Sequence, residues 1–68
     1  MSNQVTIFSE KDGDTFYSIT KGVFYIKDFM ADMLAYRVMK HTQYSKPIVE
    51  YTFVKTQAEA ILKDLMKA

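Results

Sequence analysis

The chain opens on an alternation of apolar with polar or short side chains. Residues 5–9 and 15–20 are rich in β-branched and aromatic types, and Glu10-Lys11-Asp12-Gly13-Asp14 between them is a strong turn signal. This predicts a β-hairpin. A three-residue loop with Gly13 in the left-handed region sets Phe8 opposite Phe16 and Ile7 opposite Tyr17, gathering Val5, Ile7, Tyr17 and Ile19 on one face. Lys21-Gly22 then interrupts the second strand, where a glycine suggests a bulge or bend, and residues 23–26 fit either a strand continuation or a connector.

From Lys27 the rhythm changes. Residues 27–41 are filled with Met, Ala and Leu, start with Asp28 as a possible cap and end in Arg37, Lys40 and His41, where cations suit a helix dipole. This predicts a helix. At about 100° per residue, Met30, Ala31, Leu34, Ala35 and Val38 fall on one side and Phe29, Met33 and Tyr36 on another. Tyr44-Ser45-Lys46-Pro47 reads as a loop, and residues 48–55 as a strand with Val49, Tyr51 and Phe53 on its more apolar face. Thr56-Gln57-Ala58-Glu59 matches a capping box, and Ala58, Ile61, Leu62 and Leu65 follow at helical spacing. The expected fold is therefore α+β, a small antiparallel sheet in ββαβα order.

Length changes how the apolar helix is understood. A chain of 68 residues is near the lower end of what one hydrophobic core supports, so a single domain over residues 1–68 is expected. Small scaffolds of this kind lean on disulfides, metals or partner chains, and there is no cysteine here. Association with another protein is the remaining option, and the second apolar side of the helix calls for either an extension of the same core, as an unusually wide buried face, or a partner surface. Five Tyr, five Phe and five Met add large, adaptable contact side chains.

Charge and motifs narrow the function classes. Nine basic and eight acidic residues give a net charge of +1, so no bulk field recruits or repels DNA. The longest apolar run, residues 23–26, is too short for a membrane span or signal core, and Met1-Ser2-Asn3-Gln4 carries no basic region. A cytoplasmic protein is expected. His41 has no second histidine and no carboxylate at ligand spacing, so neither metal nor cofactor is expected. Ser2, Ser9, Ser18 and Ser45 lie in no nucleophile motif, two glycines cannot build a phosphate loop, and catalysis is not expected. On a helix Asp28 and Asp32 are neighbours beside Phe29, Met33 and Tyr36, forming an anionic rim to an apolar anchor; for either aspartate alone, helix capping and solvation suffice. Arg37, Lys40 and Lys46 beside Tyr44 define the alternative, a small nucleic-acid-binding or transcription-regulating module.

Val5-Thr6-Ile7-Phe8, the Asp12-Gly13 turn, Phe16-Tyr17, Lys21-Gly22 and Asp28-Phe29 occur in an order and spacing that resemble the short uracil-DNA glycosylase inhibitors of Bacillus podoviruses. The resemblance covers residues 4–30 in sequence and 4–55 in element order, leaving residues 56–67 as an additional helix. It implies a phage-encoded homodimer that acts in the infected bacterium as a DNA mimic, filling the DNA-binding cleft of the host glycosylase and so blocking base excision repair. A helix-borne aromatic, matched by Phe29, lines a pocket that captures the side chain the enzyme pushes into DNA. Asp28 matches the acidic residue before it. The family's next carboxylate is Met30 here, and the net charge is slightly positive, so mimicry rests on Asp28 and Asp32, with Glu10, Asp12, Asp14 and Glu50 as further candidates. The expected partner-binding residues are Asp28, Phe29, Asp32, Met33 and Tyr36.

Overall fold

The computed structural model describes residues 3–67. Met1 and Ser2, read above as part of a terminus without basic residues, lie outside them. The α+β class and the antiparallel sheet are as expected; the element order is not. Four strands, β1 (Val5–Asp12), β2 (Thr15–Ile26), β3 (Ala31–Thr42) and β4 (Ser45–Thr52), are followed by one helix, α1 (Lys55–Lys67). The strands form a meander in the order β1-β2-β3-β4, each antiparallel to the next.

The helix expected over residues 27–41 is a turn followed by β3. Helix propensity separates most residues by only a few tenths of a kcal/mol, and tertiary pairing overrides it. Here β3 is bonded on both sides, to β2 from Ala31 to Thr42 and to β4 from Tyr36 to Thr42. An inner strand with contacts on both faces reads as a nearly continuous apolar run. The two apolar sides assigned to a helix are the two faces of this strand, sorted with period two rather than 3.6. Tyr36 and Val38 belong to the core under α1, whereas Met33 and Ala35 belong to a second cluster on the opposite face. Arg37, Lys40 and His41 accordingly cap no helix; they lie along β3.

The first hairpin forms, in a different register. Its turn has two residues, with Asp12 opposite Thr15 and positive φ at Gly13, the type II′ pattern, so Glu10 faces Tyr17 and Lys11 faces Phe16. The irregularity expected at Lys21-Gly22 lies instead in β1, between Thr6 and Phe8, while β2 runs unbroken through residues 23–26. Gly22 serves a close approach. A Cβ there would stand 2.7 Å from Gln4 Cγ and 3.0 Å from Gln4 Cα. Pro47 sits on the edge strand β4, where its missing donor costs no ladder bond to a further strand.

Ala58 and Leu62 on α1 are buried against Tyr17, Ile19 and Val38, with Tyr36, Ile61 and Leu65 packed around them. The helical spacing of Ala58, Ile61, Leu62 and Leu65 therefore marked the correct face. The capping box did not form as read, because the helix starts at Lys55, one residue before Thr56. The Ala58 N–H donates to the Val54 carbonyl at 3.0 Å, and the buried Thr52 hydroxyl donates to Gln57 Oε1 at 2.9 Å, tying β4 to the first turn. Lys40 Nζ donates to the Leu65 carbonyl at 3.3 Å at the other end of α1. Among the described residues no helix is long and apolar enough to cross a membrane.

Candidate aromatic groove

The site grows from the turn between β2 and β3. Ile26 and Ala31 close the ladder, and residues 27–30 reverse the chain through two hydrogen bonds, Phe29 N–H to the Ile26 carbonyl at 3.1 Å and Met30 N–H to the Lys27 carbonyl at 3.2 Å. Met30 takes a φ of 50°, a region that costs a side-chain-bearing residue about 1–2 kcal/mol. Its side chain is 78% exposed, so no burial in the monomer offsets that cost. Phe29 folds back over the sheet face opposite α1, and its ring meets that of Phe53 edge-on at 5.5 Å.

On this face Phe24, Ile26 and Ala35 are buried with Met33 packed beside them. Tyr51 lies 5.4 Å from Phe24, and the Arg37 guanidinium lies over the Phe24 ring at 5.0 Å, its buried Nε without a hydrogen-bond partner among the described residues. Between the turn and the end of β4 a groove of about 320 Å³ opens, lined by Tyr25, Ile26, Lys27, Asp28, Phe29, Tyr51 and Phe53. Aromatic walls with one aspartate and one lysine at the rim suit an apolar side chain entering from another molecule.

The five expected partner-binding residues divide between the faces. Asp28 and Phe29 line the groove, and Met33 supports the same face. Tyr36 lies on the α1 side, its ring 5.8 Å from Lys21 Nζ, and alternation puts Asp32, opposite Tyr25, on that side too. The pairing of Asp28 with Asp32 at helical spacing is therefore replaced by a separation across the sheet. Of the remaining carboxylates, Glu10 lines a cleft between β1 and α1 with Ile19 and Leu62. Glu50 stands opposite Val38, and Asp12 and Asp14 lie at the β1–β2 turn. Asp28 is the carboxylate in the groove lining.

The basic set scatters as well. Arg37 faces the groove side, Lys40 is engaged with α1, Tyr44 projects from the β3–β4 turn, and Lys46 lies on β4. Among the described residues no three His, Asp or Glu side chains come together as a cation would require. Tyr51 and Phe53, missed as site residues, carried a readable signal in the alternation of Val49, Tyr51 and Phe53. Nothing in that alternation linked them to Phe29, because the link is a fold-back of the turn. The chain matches no protein-family model, no curated protein and no solved structure.

Proposed function

We propose that the chain is a non-enzymatic protein inhibitor, phage-encoded and dimeric, that occupies the DNA-binding cleft of a host uracil-DNA glycosylase and captures the enzyme's DNA-intercalating apolar side chain. The observation that carries this reading is the groove in which Phe29, 58% exposed, stands with Tyr51, Phe53 and Asp28. Its composition is that of the apolar pocket with an adjacent acidic residue that the family resemblance implies. Phe29 reaches it from a hairpin turn rather than a helix, so the support comes from the chemistry of the groove and not from a shared element order. With a single carboxylate in the lining, apolar capture dominates this form of mimicry and phosphate imitation is secondary.

The test is uracil excision from duplex DNA by a bacterial glycosylase with this protein in excess. Strong inhibition is expected, and undiminished activity would end the proposal. Phe29→Ala is expected to weaken inhibition at least about tenfold, as loss of a central aromatic anchor commonly does, while Asp32→Ala on the other face leaves it within about twofold. Equal losses would contradict the assignment of the groove. Steeply salt-dependent binding to random single-stranded DNA, without inhibition, would favour the nucleic-acid module instead.

A further inference from the structure

The two outer strands end the sheet in different ways. β4 carries Pro47, which has no N–H to offer a neighbouring strand and so guards that edge. β1 has no proline, and all 8 of its residues are exposed. The two-residue turn fixes which of its backbone groups are free. Such a turn makes Asp12 and Thr15 a hydrogen-bonded pair, and bonded pairs alternate along an antiparallel ladder. Phe8 and Glu10 therefore spend their N–H and C=O groups on β2, while Ser9 and Lys11 aim theirs outward. The bulge between Thr6 and Phe8 ends this regular stretch.

Beside it lies the cleft between β1 and α1. The helix packs chiefly on β2, β3 and β4, which leaves its side of β1 uncovered. The cleft has a volume of about 460 Å³, with Ile7, Phe8, Leu62 and Met66 in its walls. Its charges, Glu10 and Glu59 against Lys55 and Lys63, cancel, so no net field selects an anionic or a cationic amphiphile. Unpaired main-chain groups in line beside an apolar trough fit an extended peptide.

We infer that the outer edge of β1 binds an extended segment of another protein as an added antiparallel strand. The pairing chemistry specifies that segment. Glu10 and Lys11 put opposite charges on opposite faces at adjacent positions. A strand that reads acid, base, small polar, apolar sets its acid against Lys11, its base against Glu10 and its polar residue against Ser9. Its apolar side chain then stands against Phe8 and enters the cleft. A slip of one residue in either direction sets like charges opposite each other, so register and sequence are chosen together. This edge lies across the sheet from β4 and the aromatic groove, so the two sites fill independently.

The probe is the acetylated and amidated peptide Thr-Glu-Lys-Thr-Leu-Thr, titrated into the isotopically labelled full chain and followed by amide chemical shifts. Saturable shifts are expected at Phe8 to Asp12 and at Leu62 to Met66, with a dissociation constant of about 1 mM or tighter. N-methylation of the peptide's Glu, or of the Thr after its lysine, removes an N–H that faces β1 and should weaken binding at least about tenfold. N-methylation of its Lys or Leu, whose N–H faces away, should leave binding within about threefold. Exchanging the peptide's Glu and Lys should weaken binding about threefold or more, and the double variant Glu10→Lys with Lys11→Glu should prefer the exchanged peptide. Four outcomes would overturn the proposal: no shifts at about 5 mM peptide, equal effects of all N-methylations, shifts confined to the groove of Phe29 and Phe53, or β1 shifts that follow protein concentration without peptide, which would mark pairing with a second copy.

Discussion

Two stretches of one sheet face behave in opposite ways. Under α1, Ile19 and Val38 are 2% and 0% exposed, yet Val23 and Leu34, four residues along the same strands and pointing the same way, are 45% and 62% exposed. The side chains are of the same kind and the strand pairing is continuous. What differs is the reach of the helix, whose apolar stripe from Ala58 to Leu65 covers one part of the ribbon and stops. Burial on this face is decided by what lands on it. The overhanging part holds its shape through the other face, where Phe24, Ile26 and Ala35 are buried beneath Arg37, Tyr51 and Met33.

The largest effect that can break this comparison is truncation on either side of the boundary. Leu62→Ala should cost about 2–5 kcal/mol in urea unfolding, because it opens a cavity against Ile19 and Val38. Leu34→Ala, measured in dilute solution, should change stability by less than about 0.5 kcal/mol, as surface changes generally do. Similar losses at both sites would show that α1 is not what separates the two stretches. A smaller effect is expected from Gly22→Ala, whose methyl meets Gln4 at 2.7 Å and must push the start of β1 away. The expected loss is about 1–3 kcal/mol, accompanied by faster amide exchange confined to the start of β1. Smallest is Met30→Gly, which relieves the left-handed backbone at the turn and should raise stability by up to about 1 kcal/mol. A loss of stability there would show that the exposed Met30 side chain supports the hairpin, and would sharpen the contrast between turn and core.

Much of the fold was legible where local chemistry and tertiary contacts agree. The Asp12-Gly13 turn required positive φ and has it, and Ala58, Ile61, Leu62 and Leu65 repeat at the period of the helix they form. The loop length and register were not legible, since a two-residue and a three-residue turn both accept this sequence and the bulge between Thr6 and Phe8 absorbs the difference. The candidate site was legible only in pieces. Phe29 and Asp28 drew notice as exposed anchor and rim, and Tyr51 with Phe53 as an apolar face, but their meeting depends on a turn that folds one hairpin over the end of another strand.

The sequence by itself determined the α+β class, the opening hairpin, the closing amphipathic helix and an excess of large apolar side chains. Only the tertiary structure decided that residues 31–42 are a strand. Their apolar positions fit two sides of a helix and two faces of an inner strand equally well, and helix propensity favours the first by fractions of a kcal/mol per residue. Bonding to β2 along its whole length and to β4 along half of it, with apolar contacts on both faces, outweighs that preference. The same pairing then sends Phe29 and Met33 to one side of the sheet and Asp32 and Tyr36 to the other, because neighbouring residues of a strand face opposite ways.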